Sequence, residues 1–325
     1  MNITITPLPS QPKSSLMVTR RNIRIKVMQT LYALLPLDAN LTNSDEALKQ
    51  LHKHFNNSRL LLLYTIQTII RIAQYAEIDA RRSAAKNLPT KEDLQVNTSI
   101  AQSAYLQSII TDSLFAEAVE KYKINLLLQD DIIKKLYVQL KKSDVYKMYV
   151  ANGLDDKKSG LQICTYILNE VMLNNEVFTA QLEEIFTNVD DDIDILYAAA
   201  TKYLQKPGSV MFEDVVGKEK MKFATSLLQT VLDKAAYLST LINPKLKNWD
   251  ADRIAALDMI ILKLGTCEML YFETIPVKVT INEYIDIAKE YSTAQSGQFI
   301  NGLLDNIHKE LVAQNKLHKV DFRQV

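Results

Sequence analysis

Residues that break helices are rare along the whole chain, and this scarcity is the feature that most restricts its fold. Only 7 glycines and 8 prolines occur among 325 residues, while leucine, isoleucine, alanine, lysine and glutamate are plentiful. In a helix interior, glycine costs about 1 kcal/mol and proline about 3 kcal/mol relative to alanine, so this composition favours long helices over strands and tight turns. The sequence therefore predicts an all-α fold, and its length allows one large or two smaller helical domains.

Apolar residues recur at helical spacing in many segments. Thr19 is a suitable N-cap for a first helix that runs to about Leu35 and is closed by Pro36. Further helices are predicted near residues 45–54, 58–86, 100–123, 130–150, 161–171, 190–204, 218–242 and 250–272, with a last helix after Thr293. The segment 250–272 is apolar on nearly every side, so we expect it at the centre of the core.

A capping pattern follows Pro276, which interrupts the helical spacing. Thr280 and Glu283 have the spacing of a capping box, in which each side chain accepts a hydrogen bond from the backbone of the other residue. The pattern predicts a helix from Ile281 to Tyr291, with Glu283 serving its cap.

No arrangement of residues indicates a catalytic, cofactor or metal site. The aspartates between Asp190 and Asp194 lack the glycine and glutamate of a calcium-binding loop, and they favour stabilisation of a helix N-terminus. His52 and His54 are two residues apart, which places their rings on different sides of a helix. Cys164 and Cys267 lie in apolar stretches and are expected to be free. Because phosphate-binding loops, nucleophile elbows and zinc-protease motifs are also absent, we expect no enzyme activity and no cofactor.

The sequence predicts neither a membrane span nor a secretion signal. Its longest apolar run, at residues 60–70, is interrupted by Thr65 and Gln67 and is about half the length that a bilayer requires. Residues 1–18 are polar and contain three prolines, which is typical of a flexible tail, and Met17 is an alternative start. We expect a cytoplasmic protein.

Positive charge is concentrated near the N-terminus, although the formal net charge of the chain is zero. No acidic residue precedes Asp38, whereas the same segment contains Lys13, Arg20, Arg21, Arg24 and Lys26. Arginine binds phosphates and stacks on unpaired bases, and Tyr32 can stack in the same way. Because the segment has no acid, we expect Arg20 and Arg24 to form no salt bridge within it. The alternative is a solvated cationic helix start, since short basic runs are common on protein surfaces.

Specific motifs occur in a fixed order at both ends of the chain. R-R-N-I-R at residues 20–24 is followed by Q-T-L-Y at 29–32. Near the C-terminus, I-I-L-K-L-G-T-C-E-M-L at 260–270 precedes I-P-V-K-V-T-I-N-E at 275–283 and Q-F-I-N-G-L-L-D at 298–305. These motifs resemble the opening helix, the core helix and the segments after it in the NusB family of bacterial transcription antitermination factors. Such ordered matches are specific.

The resemblance covers residues 20–35 and 190–311 and leaves the stretch between them unmatched. It implies a NusB-like helical bundle with an inserted helical subdomain. Lys263, Cys267 and Gln298 depart from the family pattern, and Gln298 replaces a basic residue. The expected division is a flexible tail at 1–18, the first helix of the NusB-like domain at 19–37, a helical insertion at 38–178, the domain core at 179–315 and a frayed tail at 316–325.

The resemblance also implies a function, namely antitermination by a non-enzymatic RNA-binding factor. The implied ligand is boxA-like single-stranded RNA of ribosomal RNA transcripts, bound together with NusE, a small-subunit ribosomal protein, in the transcribing RNA polymerase complex. By motif position, the RNA-binding residues are Arg20, Arg21, Arg24, Gln29, Tyr32, Lys278, Gln295, Ser296 and Phe299, of which Phe299 has core packing as its ordinary role. The resemblance places the NusE contact at Arg253, Leu257 and Asp258.

Two other functions remain open. A NusB-like domain also precedes a methyltransferase domain in some ribosomal RNA methyltransferases, but no glycine-rich cofactor fold follows in this sequence. The other alternative is a helical protein-binding scaffold without RNA activity, in which the insertion dominates.

Overall fold

The computed structural model describes residues 18–35, 44–153, 156–214, 216–246 and 254–320, and throughout these ranges the regular structure is helical, without an extended strand. The all-α prediction is confirmed. Arg253, all but the last residue of the predicted N-terminal tail, and Pro36 at the predicted end of the first helix lie outside the described residues.

The helices are, in chain order, α1 (Arg20–Leu34), α2 (Ser44–Ala84), α3 (Lys91–Leu94), α4 (Ser99–Gln102), α5 (Ala104–Ile110), α6 (Ser113–Lys121), α7 (Asp130–Lys142), α8 (Asp144–Asn152), α9 (Lys157–Tyr166), α10 (Glu176–Ile185), α11 (Val189–Gln205), α12 (Lys218–Asp233), α13 (Ala235–Ile242), α14 (Ala256–Tyr271), α15 (Val277–Tyr291) and α16 (Ser296–Ala313). A π-helical turn, Ile167–Leu173, continues α9, and short 3-10 turns occupy Ile124–Leu126 and Asn243–Leu246. None of the described helices is long and apolar enough to span a membrane.

The chain forms two compact units. The described residues of Asn56–Gly217 belong to one, here called the middle unit, and those of Val18–Phe55 and Lys218–Val325 belong to the other, the α1 unit. The units therefore divide at residues 217 and 218, inside the segment that the sequence assigns to the domain core. The expected division at residues 178 and 179 stays a prediction.

Aromatic clusters form the core of the middle unit. Tyr64 of α2 packs against Phe178 and Phe186, with ring centroids 6.2 and 5.5 Å apart. A second cluster joins Tyr203 to Phe212 at 5.4 Å. Tyr64 is one of many buried apolar residues of α2, among them Leu62 and Ile69, so most of the stability of this helix comes from tertiary packing.

Helix boundaries between residues 44 and 152 differ from the predicted ones, and polar side chains account for the differences. The predicted helices at 45–54 and 58–86 are one helix, because Ser58 does not interrupt it and instead donates a hydrogen bond to Asp192. Conversely, the predicted helices at 100–123 and 130–150 are divided. Ser103, Asp112 and Ser143 each cap a new helix by accepting a backbone N–H.

The α1 unit is built around α14, as predicted. This helix buries residues on all sides, including Ile261, Leu264 and Met269, and packs against α1, α12, α15 and α16. A Cβ atom at Gly265 would lie 3.0 Å from a methyl carbon of Leu304, so this glycine allows α14 and α16 to approach closely. The predicted helix at 218–242 is divided into α12 and α13 at Lys234.

The predicted start of α15 is wrong. The helix begins at Val277 with Pro276 as its N-cap, one turn before Ile281. Thr280 is fully buried within the first turn, and its hydroxyl donates to Glu268 Oε1 instead of accepting from a helix N–H. Proline suits a helix start because the first N–H groups have no partner inside the helix. The capping-box spacing of Thr280 and Glu283 thus occurs without a capping box.

Two residues of the C-terminal tail are held by hydrogen bonds to the end of α14 and the two residues after it. Lys319 Nζ donates to the carbonyl oxygens of Glu268 and Phe272, at 3.2 and 2.8 Å, and the Val320 N–H donates to the carbonyl of Glu273. Carbonyl groups at a helix C-terminus lack intrahelical donors, so Lys319 satisfies the end of α14. The expectation of a frayed tail does not hold for Lys319 and Val320.

Candidate nucleic-acid interface

The cationic first helix begins at a well-formed cap. Thr19 has an extended backbone, and its hydroxyl accepts the N–H of Asn22 at 3.2 Å. The Asn22 side chain accepts the Thr19 N–H in return, at 2.9 Å. The predicted N-cap is confirmed, and Arg20, Arg21 and Arg24 occupy the first two turns of α1.

Arg24 lies inside the α1 unit rather than on its surface. The residue is 2% exposed, and its Nε and Nη2 atoms donate to the two carboxylate oxygens of Glu268 at 2.8 Å each. Its Nη1 atom donates to Glu283 at 3.3 Å. Burial alone would lower the pKa of the Arg24 guanidinium, but hydrogen bonding and charge from Glu268, with Glu283, hold this pKa above its ordinary value. Arg24 forms no salt bridge within its own segment, as expected, and its carboxylate partners come instead from distant helices of the folded chain.

Glu268 is the centre of this buried network. Besides Arg24, its carboxylate accepts hydrogen bonds from Thr280 Oγ1 at 2.7 Å and from the Tyr284 hydroxyl at 3.3 Å. Burial, followed by the charge of Glu268, raises the pKa of Tyr284 well above its ordinary value, so its hydroxyl keeps the proton that it donates. Because a buried carboxylate is costly unless its oxygens are satisfied, this set of donors explains how an acid persists in an apolar helix.

The other two arginines of α1 remain at the surface. Arg21 Nη2 lies 2.7 Å from a carboxylate oxygen of Glu290, and the two side chains are 33% and 52% exposed. Arg20 is exposed, and its Cζ atom lies 5.7 Å from the ring centroid of Phe223 in α12. Exposed ion pairs contribute only about 0–1 kcal/mol, so Arg21 can exchange Glu290 for a phosphate at low cost.

Two further predicted RNA-binding residues lie along α1. Tyr32 is 53% exposed and Gln29 is half-buried. Eleven residues separate Arg21 from Tyr32, which is about three helical turns, so both project from nearly the same side of α1 about 16 Å apart. This spacing suits an extended strand that places a phosphate on one residue and a base on the other.

The remaining predicted RNA-binding residues are divided between surface and interior. Lys278, in the first turn of α15, and Gln295, before α16, are exposed. Ser296 is 1% exposed and Phe299 is 7% exposed. The interior positions of the last two give them packing and hydrogen-bonding roles in α16.

The predicted partner-binding residues lie at the start of α14. Leu257 is half-buried, whereas Asp258 is buried and accepts a hydrogen bond from Ser296 Oγ at 2.8 Å. Asp258 and Ser296 were assigned to different partners from the sequence, and the fold joins them to each other. This bond links the start of α14 to the start of α16.

Two residues that organise this region were missed by sequence reasoning. Glu268 had a usable signal, since a lone acid within the apolar run at 260–270 indicates a buried pair. Phe223 had none, because an aromatic residue in an amphipathic helix is ordinarily read as core.

The aspartates near residue 190 and the two cysteines have roles in local structure. Asp190, Asp191 and Asp192 lie in the first turn of α11, where negative charge favours the positive end of the helix dipole. Cys164 and Cys267 are free and buried, as expected.

Comparison with known proteins finds a family model and several relatives that each match part of the chain. The family model of the NusB family matches residues 182–309. The transcription antitermination protein NusB of Chloroherpeton thalassium is 39% identical over 108 residues, covering 33% of this chain and 51% of that protein. Its namesake in Fervidobacterium nodosum is 41% identical over 91 residues, covering 28% of this chain and 64% of that protein.

A further relative and a solved structure are also similar to this chain in sequence. NusB of Methylacidiphilum infernorum is 45% identical over 83 residues, covering 26% of this chain and 58% of the relative. A solved structure of T. maritima NusB is 35% identical, covers 31% of this chain and 73% of that chain, and has a TM-score of 0.28. The matches to these curated relatives thus span between about half and two thirds of the relatives' own length.

Proposed function

We propose, from the premise that residues 182–309 of this chain are a NusB-family domain, that the protein acts in transcription antitermination. Its ligand in this proposal is boxA-like single-stranded RNA of ribosomal RNA transcripts, bound together with NusE in the transcribing RNA polymerase complex. The relatives that match are named transcription antitermination proteins. The protein works by binding, without an enzymatic step.

The packing of α1 is the observation that supports an RNA-binding surface on the α1 unit. The cationic helix α1 lies outside the matched residues, yet it packs against α12 and α14 in the α1 unit. The ion pair between Arg24 and Glu268 fastens the second turn of α1 to α14. Arg20 and Arg21 are therefore presented on the surface of the unit that contains most of the family match.

The accessible residues fit single-stranded RNA. Such RNA is bound by cations along its phosphates and by flat side chains against its bases. Arg20, Arg21 and Lys278 supply exposed or half-exposed cations, and Tyr32 supplies an exposed ring. Gln29 and Gln295 add amide groups. In this proposal, Arg24, Ser296 and Phe299 support the surface from beneath.

The start of α14 is the proposed NusE contact. Leu257 is half-buried and offers an apolar contact, whereas the Asp258 carboxylate is bonded to Ser296. We assign direct contact to Leu257 and Arg253, with Asp258 holding the first turn of α14 in place.

Titration of a fluorescent boxA-like RNA with the full chain tests the proposal, with and without NusE and at several salt concentrations. We expect binding that exceeds that of a scrambled RNA and weakens with salt. Arg20→Ala should flatten the log–log salt dependence by about 0.7, since one phosphate contact is lost. Arg81→Ala is the matched control, because Arg81 is also exposed but lies at the end of α2 in the middle unit. Equal binding of boxA and scrambled RNA would contradict the proposal and favour a protein-binding scaffold.

A further inference from the structure

The three arginines at the start of α1 differ in what neutralises them. Arg21 is paired with Glu290 and Arg24 with Glu268. Arg20, within the part of the chain that the structure describes, has no carboxylate at ion-pair distance, and its guanidinium lies against the Phe223 ring instead. Arg20 is thus the arginine of this group whose positive charge stays uncompensated.

An aromatic ring holds a guanidinium differently from a carboxylate. A carboxylate cancels the charge and occupies N–H donors, whereas a ring attracts the cation through its electron-rich face. The guanidinium keeps its charge and its five donors for another acceptor. A ring also restricts the rotamers of a long side chain, so less entropy is lost when a ligand binds. Phe223 therefore limits the movement of Arg20 without reducing its attraction for an anion.

The ring itself is held by neighbouring side chains. Phe223 packs edge to face on Phe272, which follows α14, with centroids 5.4 Å apart and planes at 90°. The Cζ atom of Arg24 lies 5.8 Å from the Phe223 centroid. Since Glu268 fixes Arg24, the network centred on Glu268 reaches the surface through this ring.

We propose that Phe223 is a positioning residue of the RNA surface, which holds the Arg20 guanidinium in place for an RNA phosphate. The inference rests on the proposed function, because it assigns to α12 a part in the same surface. Neither the ring nor α12 was singled out by the motifs of the sequence.

A double-mutant cycle in the full chain tests it. Affinity for a fluorescent boxA-like RNA is measured for the parent protein, Phe223→Leu, Arg20→Ala and the double variant, at matched salt. We expect Phe223→Leu to weaken binding by about 2- to 30-fold, the range of a cation–π contact. In the Arg20→Ala background, the same substitution should have no further effect, because the side chain that it positions is gone. Phe223→Tyr keeps a ring and should restore the parent affinity.

Tyr237→Leu is the matched control. It removes a ring of the same unit that lies on α13 and is 5.9 Å from Lys316 Nζ, whereas the Phe223 ring lies against Arg20. This variant should bind RNA as the parent does. Thermal unfolding of every variant separates lost positioning from lost folding.

Three outcomes overturn the inference. The first is that Phe223→Leu binds RNA with the affinity of the parent. The second is that Phe223→Leu weakens RNA binding by the same factor in the Arg20→Ala background as in the parent. The third is that Phe223→Tyr loses as much RNA affinity as Phe223→Leu, and that the unfolding temperature falls as well. The last result would leave Phe223 with a packing role only. Failure of the parent protein to prefer boxA over scrambled RNA is a separate result, which removes the proposed function together with this inference.

Discussion

Arg24 and Glu268 form a bidentate ion pair with both distances at 2.8 Å, although 244 residues separate them in the chain. Their side chains are 3% and 0% exposed. Two parallel hydrogen bonds fix the direction as well as the distance between α1 and α14. The pair therefore fixes the position of α1 against α14. Charge reversal at Arg24 would consequently test the stability of the fold rather than an RNA contact.

The first prediction concerns the stability of this joint. Glu268→Gln should lower the free energy of unfolding by about 3–5 kcal/mol, because it leaves the Arg24 charge buried without its main partner. Urea titration followed by circular dichroism measures the loss. Arg21→Ala is the control, since it removes an exposed pair on the same helix and should cost about 0–1 kcal/mol. An equal decrease in the free energy of unfolding in the two variants would show that burial of the Arg24 pair does not increase its contribution to stability.

The second prediction separates the observed role of Thr280 from a capping role. Thr280→Val should cost about 1–3 kcal/mol, because Glu268 Oε1 loses a buried donor at 2.7 Å. Thr280→Ser keeps the hydroxyl and should cost less. Thr280→Asp is the discriminating variant: aspartate is a good N-cap, but here it would place a second carboxylate beside Glu268. If the aspartate variant proves as stable as the parent in urea, α15 is capped at Thr280 after all.

The third prediction is that both thiols are protected in the folded protein. Burial raises the pKa of the Cys164 thiol to about 12, and burial with the charge of Glu268 raises that of Cys267. Since the thiolate is the reactive form, labelling with a chromogenic disulfide at pH 8 should be slow in the native state. In guanidinium chloride both cysteines should react at once. Rapid labelling of two thiols per native chain would be incompatible with these positions.

The fourth prediction distinguishes stacking from charge along the RNA surface. Tyr32→Ala should reduce boxA RNA affinity by about 1–3 kcal/mol with little change in salt dependence, as loss of a stacked base requires. Lys278→Ala should flatten the salt dependence by about 0.7 in log–log slope. Tyr197→Ala is the control for an exposed tyrosine, because Tyr197 lies on α11 of the middle unit. A shallower slope for Tyr32→Ala would assign that residue to a phosphate instead.

The fifth prediction concerns cooperation with NusE. If the two proteins share one RNA strand, saturating NusE should tighten boxA binding by an amount that corresponds to about 1–3 kcal/mol of coupling. By linkage, saturating RNA should tighten NusE binding by the same factor, which isothermal titration can check. RNA affinity that is independent of NusE would indicate separate binding events.

Several elements could be predicted because their causes are local. The start of α1 depends on Thr19 and its neighbours, and the central place of α14 in the α1 unit depends on apolar residues within one segment, so both were predicted correctly. The start of α14 was not, because the helix begins at Ala256 instead of residue 250. The start of α15 was predicted wrongly, although the spacing of Thr280 and Glu283 matched that of a capping box. Thr280 and Glu283 are equally suited to a cap and to the Glu268 network, and burial decided between the two.

The candidate site shows the same division between local and distant causes. The sequence by itself determined the helical class, the cationic start of α1 and the family motifs, since these depend on composition, spacing and the order of residues. Only the tertiary structure decided which arginine is buried, which is paired at the surface and which lies on an aromatic ring. Their partners, Glu268, Glu290 and Phe223, lie about two hundred residues or more further along the chain. Solvent exposure and charge neutralisation depend on those distant neighbours, so three arginines with the same local sequence context acquire three different roles.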